Sequence, residues 1–279
     1  MSHDVARVAR AGGLPYVVTV WENATRHPSV LIPGLRHLAA RVVASARLVH
    51  CVSQRSVDYV QALHPALEAP VIQVFPGVDV VRFASEPSLR PDHLYRFLFV
   101  GRLVPEKGVR ELIGAFHRLA ALRRHLELWI AGTGPLAQEV EHAARETAGV
   151  RFLGFVPRRQ LPEILGACHT LVLPSQARRL GPLTLWEEQF GFVLVEAMAT
   201  GLDVIASRSG SIPEVVGGVG ALLQVDRLEE ALVSAMRASA ETADGWLERS
   251  EAARARAVKH FDARRNAERL LVDVEASLR

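Results

Sequence analysis

The feature that most constrains this chain is an alternation of short apolar runs with segments of helical spacing. From residue 95 onward a glycine, a proline or a serine follows each run, and the runs are 97–100, 126–131, 150–153, 170–173 and 204–206. Strands buried on both faces of a parallel sheet have this near-continuous apolar character. We therefore predict an α/β fold with a doubly wound, Rossmann-like domain over about 95–240, whose ligand lies at the carboxyl ends of the strands.

The first part of the chain repeats this alternation in a shorter form. Strands are predicted near 16–20, 48–52 and 71–75, with helices at 34–46 and 57–63. Three strands are too few for a complete Rossmann-like domain, so we predict a partial one, joined to the larger domain by a linker. The predicted organisation is a partial domain, a complete domain and a C-terminal helix that packs back toward the first, over 1–90, 91–260 and 261–279.

Composition limits the classes of function. Apolar residues make up 49% of the chain, which favours an ordered α/β protein over a disordered one. A formal net charge of +3 does not point to nucleic acid. Cys51 and Cys168 stand apart, with neither metal-ligand spacing nor a disulfide framework, so we expect no metal and a cytoplasmic location. We also expect no signal peptide and no integral membrane span.

The first motif with chemical content is the stretch 101–108, Gly-Arg-Leu-Val-Pro-Glu-Lys-Gly. It joins a strand to a helix, where free backbone N–H groups and the helix dipole favour anions. Arg102 and Lys107 add a planar fork and a point charge, a combination that suits a diphosphate. Taken alone, the motif is better explained as a solvated loop with two surface cations.

The second motif surrounds Gly191. Glu188 precedes this glycine, and Glu196 lies about one turn inside the helix that follows it. A backbone without Cβ lets a phosphate approach a helix end, and a carboxylate accepts hydrogen bonds from the hydroxyls of a ribose. The alternative is a capping acid at Glu188 and a solvated helix acid at Glu196. A Gly-rich turn at 131–135 is a tight connection, and the turn at 209–214 is either a connection or a pocket wall.

Together and in order, these motifs resemble the GT-B retaining glycosyltransferases of family 4. The spacing of Glu188 and Glu196 is that family's signature. The resemblance covers about 95–275 and, more weakly, 15–90. The matching stretches are Gly101-Arg102-Leu103 with Lys107-Gly108, Trp186-Glu187-Glu188-Gln189-Phe190-Gly191 with Glu196-Ala197-Met198-Ala199, and Gly210-Ser211-Ile212-Pro213-Glu214.

The resemblance implies transfer of a sugar, with retention of anomeric configuration and without a metal or cofactor. The donor would be a UDP, GDP or ADP sugar on the larger domain, and the acceptor a sugar, lipid or glycan on the smaller one. Arg102 and Lys107 would neutralise the diphosphate, Glu188 would meet the donor sugar near the reacting carbon, and Glu196 would hold the ribose. Further contacts would come from Gly154, Phe155 and Val156 at the base and from Phe190, Gly191, Phe192 and Val193 at the sugar and phosphates.

The departures from the family motivate two alternatives. The first half of the family's N-terminal domain is not recognisable here, and His3 is too near the terminus to serve as its active-site histidine. A non-catalytic or split donor-binding half that needs a partner chain is one alternative, and a GT-B sugar-nucleotide epimerase is the other. Asp203 stands where the family usually has a proline, and we expect it to strain the start of its strand.

Two features of the predicted smaller domain, at 1–90, are candidates for contact with an acceptor or with a lipid surface. Glu22 and Asn23 follow the first strand and are expected to face the acceptor. A basic amphipathic helix is predicted at 35–48. A solvated domain face is the favoured interpretation of this helix, and peripheral contact with an anionic lipid surface is the second.

Overall fold

A computed structural model describes residues 6, 8, 9, 11–84, 94–121, 125–242 and 245–278. His3 and the predicted linker 85–93 lie outside the described residues. The described strands form two parallel sheets and one antiparallel hairpin.

The smaller sheet has three parallel strands in the order β1-β2-β3, namely Val17–Val20, Leu48–Cys51 and Val71–Gln73. The segments between them form α1 (Pro28–Leu31), α2 (Pro33–Ala44) and α3 (Gln54–Leu63). Aliphatic side chains of β1, β2, α2 and α3 pack into one buried cluster. Strands and helices thus lie where the apolar runs predict them.

The larger sheet has six parallel strands in the order β11-β10-β7-β4-β5-β6. Every residue of β7 and β10 is buried, which explains their continuous apolar runs. Two hydrophobic clusters cover the two faces of the sheet. The strands are β4 Tyr95–Val100, β5 Leu126–Ala131, β6 Val150–Gly154, β7 Thr170–Leu173, β10 Asp203–Ser207 and β11 Ala221–Leu223.

Helices flank the larger sheet. A short 3-10 turn, Pro105–Lys107, precedes the first of them. Among the described residues, no helix has the length and apolar composition needed to cross a bilayer. These helices are α4 Val109–Ala120, α5 Ala137–Glu146, α6 Leu161–Gly166, α7 Phe192–Ala199, α8 Ile212–Val216, α9 Leu228–Glu241 and α10 Trp246–His260, and one more helix, α11 (Ala263–Leu278), follows them.

The strand order creates a switch point between β4 and β7. From β4 the chain winds outward through β5 to β6, and from β7 it winds the other way through β10 to β11. The two central strands pair directly, with Phe97 opposite Thr170. Connections on either side of such a point leave the sheet in opposite directions, and the crevice between them is where open α/β sheets bind ligands.

A hairpin between β7 and α7 is not predicted by the sequence. It pairs β8 (Arg178–Leu180) with β9 (Leu183–Trp186) in antiparallel fashion. All of β8 is exposed, so neither alternation nor a continuous apolar run marks it.

The last helix contacts the smaller domain. The Asn266 side chain donates to the carbonyl of Phe75 at 3.0 Å, and the backbone N–H of Ala263 donates to the carbonyl of Val78 at 3.0 Å. Near its C-terminal end, Ser277 accepts a hydrogen bond from Arg47. The division of the chain into domains at 90 and 260 stays a prediction.

Candidate functional site

Lys107, Glu188 and Ser175 meet at the switch point. Lys107 ends the turn after β4, Ser175 follows β7, and Glu188 follows the hairpin. The Lys107 ammonium donates to Oε2 of Glu188, and the Ser175 hydroxyl donates to the same oxygen at 2.7 Å. The side chains of Lys107 and Glu188 are only 12% and 10% exposed. A buried ion pair gains little net stability after desolvation, so the effect of this arrangement is to hold both charges at fixed positions.

The lysine also lies over an aromatic ring. Its ammonium is 5.0 Å from the centre of the Trp186 ring, at the end of β9. A cation over the face of an indole ring is attracted by the ring quadrupole. The hairpin missed by the sequence analysis therefore supplies one wall around Lys107.

The backbone of Glu188 is held by the turn at 209–214. The Ser211 N–H donates to the Glu188 carbonyl at 3.0 Å, and the Asn23 side chain donates to it at 2.8 Å. Gly210 has φ +52°, and a Cβ there would overlap that carbonyl oxygen. Asn23 is fully buried and also donates to the Ser211 hydroxyl at 3.0 Å. Asn23 therefore ties the two domains together, and its side chain is buried at this contact, whereas we expected it to face the acceptor.

Glu214, at the end of the same turn, makes a second tie. Its two carboxylate oxygens each accept from the backbone N–H of Gln54 at 2.9 Å, and Oε1 accepts from the Gln73 side chain at 3.0 Å. Burial raises the pKa of Glu214, against the lowering effect of these hydrogen bonds. The turn thus fastens the domains beside Glu188, in addition to connecting β10 to α8.

The N-terminus of α7 is open. Gly191 is its N-cap residue with φ +80°, and no side chain caps the helix. The first N–H groups of a helix have no intrahelical partner and carry the positive end of the dipole. Phe192 and Val193 form the first turn, and the Phe190 ring is buried beneath it. These backbone donors begin four residues after Glu188, at a helix end that is suited to bind an anion.

Glu196 lies one turn further along α7, and its carboxylate is buried. The Arg158 guanidinium donates to Oε1 of Glu196 at 3.2 Å. Burial raises the pKa of Glu196, although Arg158 and then Arg82 act in the opposite direction. The Arg158 side chain is 69% exposed, so a ligand hydroxyl could replace it at low cost.

A cleft of about 210 Å³ adjoins the switch point on the β5–β6 side. Gly101, Arg102, Phe155 and Val156 line it, along with backbone of the turn at 131–133. Arg102 and Phe155 are both exposed. Gly154 lies at the end of β6, and its carbonyl accepts from Gly132 at 2.7 Å. The cleft therefore brings Arg102 together with Phe155 and Val156, two of the three residues that the resemblance assigns to a nucleotide base, and the third, Gly154, adjoins it.

A second cavity, of about 300 Å³, lies in the smaller domain. Trp21, Glu22, His27 and Tyr59 line it, together with Gln189 of the larger domain. Oε1 of Glu22 accepts from the backbone N–H of Asn23 at 3.0 Å, which fixes the side chain. The Trp21 ring is 5.7 Å from the Phe192 ring at the start of α7, so this cavity faces the open helix end.

The sequence did not predict the roles of Arg158 and Trp186. Arg158 follows β6, a position that could have indicated it, whereas Trp186 ends β9, a strand that was not predicted. Asn23 and Ser211 had no such signal for their pairing, because they are 188 residues apart in the chain. Asp203 was expected to strain its strand; instead its carboxylate accepts from Arg249 at 2.8 Å and from its neighbour's N–H.

Comparison with known proteins gives this geometry a context. The glycogen synthase of Mycobacterium tuberculosis is 27% identical over 275 residues, covering 94% of this chain and 63% of that protein. The GDP-mannose-dependent monoacylated alpha-(1-6)-phosphatidylinositol monomannoside mannosyltransferase of Corynebacterium glutamicum is 28% identical, covering 73% of this chain and 56% of that protein. The chain thus spans less than two thirds of these relatives' length.

Solved structures share the fold. Anabaena HepE, crystallised in complex with UDP and glucose, has a TM-score of 0.80 and 20% identity, covering 99% of this chain and 76% of that one. The predicted GT-B type α/β fold is confirmed. The family described as glycosyl transferases group 1 matches residues 95–241, more than half of the chain. Since this match contains the switch point, the Lys107–Glu188 pair and α7, the chain belongs to the glycosyl transferases group 1.

Proposed function

We propose that this chain transfers a sugar from a nucleotide-diphosphate sugar to an acceptor, with retention of anomeric configuration and without a metal. The observation that carries the proposal is the cluster at the switch point. A buried lysine, a buried carboxylate and an open helix end lie together there, with a cleft of suitable chemistry beside them.

The donor's diphosphate has two matching partners. Arg102 is exposed at the cleft, and Lys107 is held at the switch point by Glu188. An ammonium has three N–H donors, so Lys107 can bond a phosphate oxygen while it keeps Glu188. The N–H groups of Phe192 and Val193 at the α7 terminus would add neutral donors to the same oxygens.

The remaining parts of the donor would extend from the diphosphate in two directions. The base would lie in the cleft of Gly154, Phe155 and Val156, and Glu196 would accept from the ribose hydroxyls in place of Arg158. The sugar would lie on the other side, against Glu188, Phe190 and Gly191. Carboxylates at both ends and cations between them match the charge pattern of a nucleotide sugar.

The reaction follows from this placement. The bond between the anomeric carbon and the phosphate oxygen breaks, and the acceptor oxygen bonds to the same face of that carbon. The acceptor proton passes to the departing phosphate. Arg102, Lys107 and the α7 N–H groups stabilise the negative charge that develops on the leaving diphosphate, which is the largest contribution that a preorganised site can make. Glu188, fixed by Lys107 and Ser175, orients the sugar hydroxyls near the reacting carbon.

The acceptor would enter from the smaller domain. The 300 Å³ cavity of Trp21, Glu22, His27 and Tyr59 faces the start of α7 and thus the expected position of the sugar. Its carboxylate, imidazole and phenol groups are donors and acceptors for hydroxyls, and its indole is a platform for a sugar ring.

Calorimetric titration of UDP, GDP, ADP and their sugars without added metal, on this chain and on Lys107→Ala, tests the proposal. We expect one nucleotide to bind in the presence of a chelator, and the variant to bind it about 100-fold more weakly. Lys259→Ala, which changes the chain's other lysine on an exposed face of α10, is the matched control.

Two results would count against the proposal. Binding that depends on a divalent cation would exclude the metal-free arrangement. Equal affinity of Lys107→Ala and the unchanged chain would remove the diphosphate from the switch point. Once the donor is known, the anomeric configuration of the product, read by NMR, tests retention directly.

A further inference from the structure

The helix α2 carries one apolar stripe that is only half covered. Leu35, Leu38, Ala39, Val42 and Val43 recur at spacings of three and four, which places them on one face of the helix. Ala39, Val42 and Val43 are buried in the core of the smaller domain. Leu35 and Leu38 are 45% and 46% exposed, because the first turns of α2 project beyond that core.

The projecting stripe continues into the preceding turn. Leu31, the last residue of α1, and Ile32, which joins α1 to α2, are 47% and 42% exposed. We call Leu31, Ile32, Leu35 and Leu38 the apolar ridge. Every residue from 31 to 38 is exposed, so the ridge forms a continuous exposed stretch at this edge of the domain.

The segment around the ridge carries an excess of positive charge, although one of its arginines, Arg55, pairs with Glu187 of the larger domain. Between Glu22 and Asp58 the sequence contains no aspartate or glutamate, but it contains five arginines. Arg36 and Arg41 lie on the ridge helix itself and are exposed. Arg36 donates to the backbone carbonyls of Leu63 and Ala62, which leaves its charge unneutralised. Among the described residues, neither arginine forms an ion pair.

We propose that the apolar ridge docks onto the surface of an anionic lipid bilayer, with its leucines in the interface and Arg36 and Arg41 against the headgroups. Exposed aliphatic side chains beside arginines fit a lipid interface, in which apolar and anionic groups lie a few ångströms apart. The phosphates of a nucleic acid would bind the arginines but would leave the leucines exposed to water. A two-fold interface between copies would set arginine against arginine, with no carboxylate in the patch to offset them.

The position of the ridge gives the docking a consequence. Ala39, at the point where the stripe becomes buried, also lines the cavity of Trp21, Glu22 and Tyr59. A bilayer at the ridge would therefore lie beside that cavity. An acceptor anchored in the bilayer would present its headgroup there. This consequence rests on the proposed sugar transfer, whereas the docking itself does not.

Sedimentation with vesicles tests the docking. The full chain is mixed with vesicles of phosphatidylcholine alone and of equal parts phosphatidylcholine and phosphatidylglycerol, without any nucleotide. We expect binding to the anionic vesicles, weak binding to the neutral ones, and loss of binding at high salt. Two double variants should each lower the partition coefficient onto anionic vesicles about tenfold or more. They are Leu35→Ser with Leu38→Ser, and Arg36→Gln with Arg41→Gln.

Matched variants separate the ridge from general effects of charge and hydrophobicity. One control, Leu247→Ser with Leu271→Ser, removes two leucines elsewhere that are slightly more exposed than those of the ridge. The other, Arg237→Gln with Arg254→Gln, removes two exposed arginines from α9 and α10. Both control pairs should bind vesicles like the unchanged chain. Titration of the nucleotide on all variants shows that the donor site is intact, so failure of docking is distinct from failure of the proposed function.

Three outcomes would overturn the docking. These are equal binding to neutral and anionic vesicles, equal losses in the ridge and control pairs, and no binding to anionic vesicles. Sedimentation velocity identifies one rival occupant. Self-association that Leu35→Ser with Leu38→Ser abolishes would assign the ridge to a second copy of the chain.

Discussion

The two ends of the segment 188–196 carry the same residue in opposite settings. Glu188 and Glu196 are both buried and both face a cation. The partner of Glu188 is a lysine that is itself 12% exposed, whereas the partner of Glu196 is an arginine that is 69% exposed. Glu188 also accepts from Ser175, and its backbone is bonded to Ser211. The Glu196 carbonyl accepts from the Thr200 hydroxyl at 2.8 Å, but among the described residues Arg158 is the one hydrogen-bond donor to the Glu196 carboxylate.

The difference teaches how one segment can serve two purposes. A carboxylate that is enclosed with its cation keeps its position when a ligand arrives, which suits a group near a reacting atom. A carboxylate whose cationic partner is largely exposed to solvent can exchange that partner for ligand hydroxyls with little loss of interaction free energy. We therefore expect changes around Glu188 to affect both stability and binding, and changes around Glu196 to affect binding alone.

Lys107→Ala should have the largest effect. It leaves the buried Glu188 carboxylate without its cation, which costs about 3 kcal/mol in the free energy of unfolding. It also removes a charge from the proposed diphosphate site. Chemical denaturation measures the first effect, and initial rates of donor turnover, once the donor is known, measure the second. Lys107→Arg retains the charge and should recover stability more fully than activity, because a planar fork replaces a point charge.

Gly210→Ala tests the backbone support of Glu188. At φ +52° an alanine is strained, and its Cβ would overlap the Glu188 carbonyl oxygen. Strain and displacement together should lower the free energy of unfolding by about 2 to 4 kcal/mol. Gly181→Ala is the matched control, since Gly181 has φ +53° and a Cβ there meets no atom within 4 Å. Equal losses in the two variants would mean that the contact with Glu188 contributes nothing.

Glu196→Gln should weaken binding of the nucleotide about tenfold, the loss of a hydrogen bond to a charged acceptor. Burial raises the pKa of Glu196 in the folded protein. Above that pKa the charged carboxylate lowers the free energy of unfolding, and this loss of stability is relieved as the pH falls through the raised pKa. The melting temperature of Glu196→Gln, without nucleotide at neutral pH, should therefore equal or exceed that of the unchanged chain.

The pH dependence of affinity sharpens this prediction. As the pH falls through the raised pKa, the unchanged chain protonates Glu196 and loses its advantage over the glutamine variant. The ratio of the two Kd values, measured by calorimetry at each pH, should approach one at acid pH. A ratio of one at neutral pH would show that Glu196 does not hold the ribose.

The sequence predicts the sheet and the motifs of the site better than it predicts the support of the site. Continuous apolar runs identify β7 and β10, and the loops after the strands contain Arg102 and Lys107. Those signals are local. The exposed β8 strand, the pairing of Asn23 with Ser211 and the choice of Arg158 as a partner depend on which distant segments the fold brings together. No periodicity along the chain encodes such pairings.

Arg158→Ala should have the smallest effect and is the most direct test of the comparison. If the ligand displaces Arg158 from Glu196, the ligand no longer has to displace that side chain in the Arg158→Ala variant. The affinity for the nucleotide should therefore change by no more than about threefold. The free energy of unfolding should change by less than about 0.5 kcal/mol, because the arginine is largely solvated. Calorimetry and denaturation measure the two quantities. A tenfold loss of affinity would instead make Arg158 a ligand-binding residue in its own right, and Glu196 and Arg158 would then act as one enclosed pair, like Glu188 and Lys107.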